Sequence, residues 1–262
     1  MVTRARLDAE LVRRGLARSR QQAAELIGQG RVAVRGVVAG KAATVVDRDT
    51  PVVVTESGER AWASRGAHKL VGALDELGVE VSGARCLDAG ASTGGFTDVL
   101  LDRGAARVVA VDVGYGQLVW RLRSDDRVQV HDRTNVRALV PDDIGGPVDV
   151  TVADLSFISL RTVLPALAGC TGGVLLPMVK PQFEVGRDRL GSGGVVRDPQ
   201  LRLGALHAVT AAARELGLVL RGAAPSPLPG PSGNVEFFLL LACDGADVGD
   251  AALASAVERG PA

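Results

Sequence analysis

Residues 86–101 read CLDAGASTGGFTDVLL: an apolar run, a glycine-rich turn and the start of an apolar helix. That succession lets backbone approach a ligand closely and points the first N–H groups of a helix at an anion. Gly90, Gly94 and Gly95 permit the approach. The next apolar run, RVVAVDVG (107–114), carries Asp112 at its end, 24 residues after Asp88, where a carboxylate can accept hydrogen bonds from both hydroxyls of a ribose. The pair of signals specifies a nucleoside cofactor. Ser92 stands where the second glycine of a dinucleotide G-x-G-x-x-G would fall, which favours S-adenosylmethionine over NAD. A tight glycine turn with no ligand is the plain alternative. GASTG (90–94) also satisfies the G-x-S-x-G nucleophile elbow, and Ser92, Asp154 and His207 follow the hydrolase order Ser, Asp, His. Against it, RCLDAG (85–90) is the first strand of its domain, and His207 falls inside the helical pattern LRLGALHAVTAAARELG (201–217) rather than on a loop.

Outward from this turn, strand-like runs at 128–132, 148–157, 173–180, 218–224 and 235–243 join those at 85–90 and 107–114, with helical patterns near 95–103, 117–123, 159–168 and 198–217. Such alternation predicts an α/β fold with a seven-stranded, mostly parallel sheet covered on both faces. The N-terminal piece differs. RLDAELVRRGLARSRQQAAELIGQGRVAVRGVVAGK (6–41) reads as two short helices and then short strands. Leu7 and Leu11 form an i, i+4 apolar pair. Ser19 with Gln22 makes a capping box, and Ala23, Leu26 and Ile27 mark the buried face of the second helix. The expected division is a small α+β domain over 1–58, a linker over 59–66 in which Trp62 suggests docking, a catalytic domain over 67–245 and a tail over 246–262.

The chain has 262 residues and is 47% hydrophobic but only 3% aromatic, with 33 glycines, so small side chains do much of the packing. Its 30 basic and 30 acidic residues cancel, yet residues 1–41 hold nine basic against three acidic ones. A basic handle on a neutral body points to a polyanionic partner. Only Lys41, Lys69 and Lys180 among the 30 cations are lysine. Each therefore raises the question of what an ammonium does that a guanidinium cannot, and proton loss near neutral pH is one answer. Cys86, Cys170 and Cys243, odd in number and set in apolar sequence, read as buried reduced thiols rather than metal ligands. The N-terminus lacks a signal-peptide core, and the uncharged run 162–179 is broken by proline and glycine, so a cytoplasmic protein without a membrane span is expected.

The motifs WASRGAHKL (62–70), LDAGASTGGFTDVLL (87–101), AVDVGYGQL (110–118), DRTNVR (132–137), ADLSFISL (153–160), MVKPQFE (178–184) and GNVEFFL (233–239) together resemble the TlyA (hemolysin A) family of ribosomal RNA 2′-O-methyltransferases. Residues 6–36 are similar to the alpha-L RNA-binding domain of small-subunit ribosomal protein four. The resemblance implies an FtsJ-like Rossmann fold of the class I methyltransferase type. It places a Lys-Asp-Lys-Glu tetrad on Lys69, Asp154, Lys180 and Glu236. It also implies S-adenosylmethionine held by Gly90, Ala91, Ser92, Thr93, Gly94, Gly95 and Phe96 at the methionine end, by Asp112 with Val113 at the ribose, by Asp132 and Arg133 beside the adenine, and by Asp154. Arg4, Arg6, Arg18, Arg20 and Arg65 would contact RNA, and Phe157 and Ser232 would flank the target nucleotide. The implied partner is ribosomal RNA within ribosomal subunits and the implied target a cytidine, with no membrane and no metal involved.

The residues also bear the resemblance on their own chemistry. Asp154 and Lys180 fall at the carboxyl ends of strands, where open α/β sheets place ligands. A ribose hydroxyl must lose its proton as it attacks a sulfonium methyl, and a partly desolvated lysine near another lysine can accept it. Lys180 is accordingly the base, Lys69 and Asp154 orient the hydroxyl and tune Lys180, and Glu236 holds Lys69 or the ribose. Alternatives stay open at single positions: Asp132 as a turn residue, Phe157 as core, the N-terminal arginines as a solvated helix face. The segment 181–198, polar and glycine-rich, reads either as a mobile substrate loop or as plain surface. A non-catalytic RNA-binding or assembly factor is the rival function, and the sequence fixes no oligomeric state.

Overall fold

The computed structural model describes residues 4–35, 37–55 and 62–260. Contacts divide the chain into Met1–Arg65 and Gly66–Ala262. In the first unit, β1 (Arg4–Arg6) leads directly into α1 (Leu7–Arg13), followed by α2 (Arg20–Gly28), β2 (Val32–Val34), β3 (Val37–Val38), β4 (Val45–Asp47) and β5 (Val52–Val54). β1 pairs with β4, and β2 lies between β3 and β5, all antiparallel. Leu7, Leu11, Ala23, Leu26 and Ile27 are buried together with Val32 and Val46, as the apolar spacing requires. Ser19 caps α2, its hydroxyl accepting from the Gln22 N–H at 3.1 Å. The other half of the expected capping box differs, because Gln22 Oε1 accepts from the N–H of Arg18. Of the expected linker, residues 59–61 lie outside the described residues.

The second unit runs α3 (Gly66–Leu77), β6 (Arg85–Ala89), α4 (Gly95–Asp102), β7 (Arg107–Val111), α5 (Trp120–Arg123), β8 (Val128–His131), β9 (Val148–Ala153), α6 (Leu160–Gly169), β10 (Thr171–Val179), α7 (Pro181–Glu184), α8 (Pro199–Glu215), β11 (Val219–Pro225), β12 (Phe237–Ala242) and α9 (Ala251–Arg259). Its sheet has the order β11-β12-β10-β9-β6-β7-β8, with only the β12 pairings antiparallel. The chain starts in the middle at β6, runs outward to β8, then crosses back to β9. The strand order therefore reverses between β6 and β9, the crevice where such sheets bind ligands. β6, β7 and β9 are buried along nearly their whole length, which is why they read as continuous apolar runs rather than alternating ones.

Two expectations are corrected. The segment read as a tail contains α9, whose Leu253 and Ala256 are fully buried in the main core; an amphipathic nine-residue helix after DGADVGD was hidden by its run of alanines. Cys86 and Cys170 are buried as expected, whereas Cys243 is exposed just beyond the end of β12, where the strand leaves the core.

Candidate active site

The turn after β6 is shaped by what lies beneath and beside it. Asp88, fully buried, receives the Thr97 hydroxyl on Oδ2 at 2.7 Å, while Oδ1 has no partner. Burial pushes its carboxyl up to about 7, and the Asp154 and Asp112 charges add to the effect. Gly90 has a φ of 91°, and a Cβ there would lie 2.5 Å from the Asp154 carbonyl oxygen, so only glycine lets the β6 turn pass this close to the end of β9. Asp112 ties the two turns together: it accepts the Ser92 N–H at 2.8 Å and the Gly114 N–H at 2.7 Å. Around them lies a cavity of about 490 Å³ lined by Gly90, Ser92, Asp112, Val113, Asp154 and Phe157, all singled out from sequence. Val136 and Val163 also line it, as do Gln117, Thr134, Asn135, Leu155, Ser156 and Ile158. The last six lie in connecting segments, where no periodicity marks a lining position.

Other expected cofactor residues face elsewhere. Ala91 and Phe96 are buried, and Phe96 packs on Phe238 with ring centroids 6.1 Å apart, so it supports the turn from the core side. Thr93, Gly94 and Gly95 do not line the cavity. Gly94 caps α4 at a φ of 101°, and a Cβ there would meet the Leu118 side chain at 2.7 Å. Asp132 turns to Arg123 at 2.8 Å and takes the Gly116 N–H, and the guanidinium holds its carboxyl below the usual range. The neighbouring Arg133 stacks over the Tyr115 ring at 4.3 Å and lines a separate polar hollow with His131 and Asn135. Asp132 therefore does not line the cavity, whereas Thr134 and Asn135 do.

The four tetrad residues form two ion pairs. Lys180 Nζ lies 2.6 Å from Asp154 Oδ1 and donates to Ser156 Oγ at 2.9 Å. Lys69, on the first turn of α3, lies 2.5 Å from Glu236 Oε2. The sheet explains the convergence. β10 pairs with β12 antiparallel up to Val179 opposite Phe237, so the next rung sets Lys180 against Glu236. On its other side β10 runs parallel to β9, with Pro177 beside Ala153, so Asp154 lies at the same end. Lys180 and Glu236 are buried and Asp154 is partly open to solvent. Glu236 Oε1 has no partner, and Gly230 passes so close that any side chain there would strike this carboxylate. Ser156, which helps fix Lys180, was missed by sequence reading although it lies within ADLSFISL.

The hydrolase alternative is overturned, since no triad forms. Ser92 Oγ bonds Gln117, Asp154 pairs with Lys180, and His207 pairs with Asp250 at 3.2 Å. Among the described residues no cluster of His, Cys, Asp and Glu could hold a metal ion, and no helix is long and apolar enough to cross a membrane.

Comparison with known proteins agrees with this geometry. The FtsJ-like methyltransferase family matches residues 62–243, and the S4 domain matches residues 5–52. A Mycobacterium tuberculosis H37Rv protein named 16S/23S rRNA (cytidine-2′-O)-methyltransferase TlyA is 65% identical over 243 residues, 92% of this chain and 91% of that one. The chain belongs to the TlyA family of FtsJ-like methyltransferases. Hemolysin A of Brachyspira hyodysenteriae is 36% identical over 88% of this chain and 97% of its own. A solved structure of a Streptococcus thermophilus protein under a hemolysin name covers 99% of this chain and 96% of its own, at 37% identity and a TM-score of 0.77.

Beyond these four residues, Phe157 is 91% exposed and held at a φ of 64°, its ring 5.4 Å from that of Phe183. With Gln182, Phe183 and Leu190 it lines a second hollow of about 390 Å³. Ser232, exposed, has a φ of 62°. The segment 181–198, read either as a mobile substrate loop or as plain surface, is fastened at both ends. Glu184, buried, accepts from Ser159 Oγ at 2.6 Å and the Leu160 N–H at 2.7 Å. Asn234 accepts the Val196 N–H and donates to the Gly194 carbonyl, both at 3.0 Å. In the first unit, Arg4, Arg6, Arg18, Arg20 and Arg65 are all exposed. Arg4 lies 3.4 Å from Asp47, whereas Arg6 and Arg20 share the buried carboxylate of Asp8.

Proposed function

We propose that this chain transfers a methyl group from S-adenosylmethionine to the 2′-hydroxyl of cytidine in ribosomal RNA, acting on ribosomal subunits in the cytoplasm. The observation that carries the reading is the Lys180–Asp154 pair, 2.6 Å apart, with Asp154 on the wall of the cavity at the strand-order reversal. The cavity fits the cofactor. Its volume of about 490 Å³ lies within the range for small-ligand sites. Two carboxylates, Asp112 and Asp154, line it, which suits a cationic ligand carrying hydroxyls. Asp112 has accepted two backbone N–H groups, and a carboxylate offers about four lone-pair sites, so capacity remains for a ribose. Bound S-adenosylmethionine would supply an electrophilic methyl.

The chain's own residues do the rest. Once its ammonium has released a proton to solvent, Lys180 Nζ takes the proton of the 2′-hydroxyl as its oxygen attacks, Asp154 holds the ammonium that results, and Ser156 fixes the direction of the amine. Glu236 holds Lys69, whose ammonium orients the hydroxyl. Phe157 stacks on the extruded nucleotide, with Ser232 beside it. The exposed arginines of the S4 domain contact phosphates of folded RNA. Mapping of 2′-O-methyl nucleotides in ribosomal RNA from cells with and without the gene tests the proposal: at least one methylated cytidine should disappear with the gene, and identical maps sink it.

A further inference from the structure

In the first unit a single buried carboxylate organises two exposed cations. Asp8 keeps 7% of its side chain exposed, against 52% for Arg6 and 60% for Arg20. Arg6 donates Nε to Oδ1 at 3.1 Å and Nη2 to Oδ2 at 3.2 Å, while Arg20 donates Nη2 to Oδ2 at 2.9 Å. The Ala9 N–H completes the set at 2.9 Å, which fixes the carboxylate itself to the start of α1. The two arginines come from β1 and α2, separate elements that this carboxylate joins. The same bonds leave three of the five N–H donors of Arg6 and four of those of Arg20 free to face a ligand. The Arg6 hydrogen bond, seconded by Arg20, holds the Asp8 carboxyl down at about 2, so it stays charged at neutral pH.

We infer that Asp8 is a positioning residue for RNA docking: it holds the Arg6 and Arg20 guanidinium groups as a preformed clamp for backbone phosphates of folded RNA. The inference rests on the proposed RNA-binding role of this unit. Two long side chains ordered before binding lose less freedom on binding, and the geometric match to phosphate is set in advance. Charge alone makes the opposite forecast. Asp8 is an anion beneath a surface that binds a polyanion, so neutralising it should tighten binding to every RNA. The two accounts therefore differ in sign.

The test is titration of the full chain against ribosomal RNA transcribed in vitro and against polyuridylate at one fixed salt concentration. Asp8→Asn should weaken binding to ribosomal RNA by about fivefold or more, and leave polyuridylate binding unchanged or slightly tighter. Asp8→Glu keeps the charge but moves it, and should weaken ribosomal RNA binding as well. In an Arg6→Ala, Arg20→Ala background, changing Asp8 to Asn should cost nothing further, because its effect passes through those two side chains. Undiminished ribosomal RNA binding by Asp8→Asn, or a full additional loss in the arginine-free background, overturns the inference. Methyl transfer to the same RNA, measured in parallel with the unaltered chain, reports separately on the catalytic proposal.

Discussion

Among the described residues, five non-glycine side chains hold a left-handed backbone, and four of them, Ser92, Arg133, Phe157 and Ser232, are positions singled out for the cofactor or the target. Such conformations cost about 1–2 kcal/mol each and persist where the surroundings impose them. Phe157 isolates the effect, since its side chain is almost wholly exposed. Phe157→Gly should leave stability unchanged or raise it by up to about 1 kcal/mol, seen as an equal or higher melting temperature, while methylation of ribosomal RNA falls. Lys180→Arg tests the base directly. A guanidinium keeps the charge beside Asp154 but cannot give up a proton, so transfer at saturating cofactor should drop about 100-fold or more, with cofactor affinity little changed. Gly90 and Asp112, which line the cavity, and the ion-paired Lys69 and Lys180 drew attention in the sequence because a turn needing glycine, an acid at a strand end and a rare residue type each leave a mark. Ser156, Gln117 and Thr134 leave none: they are ordinary polar residues in loops, and their role comes from which strand ends lie side by side.

At the scale of elements, β6 and α4 meet over Asp88, and their junction should sense pH. A carboxyl at about 7 in the folded chain, against an ordinary 3.8, keeps a proton that the unfolded chain has released between those values. Stability contributed at this position is therefore greatest at low pH and falls as pH rises from about 4 to 7. Asp88→Asn removes the titration, so denaturant melts should show a flatter pH dependence over that window and a gain of a few kcal/mol at pH 8. α9 gives a second expectation. Leu253 is fully buried in the main core, so Leu253→Ala should cost about 2–5 kcal/mol in the same melts, whereas a free tail would tolerate it. The strands were legible because burial on both faces writes them as unbroken apolar runs. α9 was not, since alanine packs well but scarcely marks an apolar stripe. The fastening of 181–198 was hidden for a different reason: Asn234, which ties it down, is nearly forty residues away along the chain.

For the molecule as a whole, two units with separate cores imply separable activities. Removing residues 1–65 should leave S-adenosylmethionine binding, measured calorimetrically, within about twofold of the full chain, while methylation of ribosomal RNA falls below detection. Full methylation by the shortened protein would refute the division of labour. The bond between Lys69 and Glu236 spans 167 positions, and α9 seals the core later still. During synthesis the arginine-bearing first unit is therefore out of the ribosomal tunnel long before the final carboxylate has been added, and domains fold in that order. If the first unit docks RNA as proposed, a chain ended between positions 65 and 236 holds RNA without being able to modify it, and a stop codon in that stretch turns the gene from the source of an enzyme into the source of a competitor for the enzyme's own docking site.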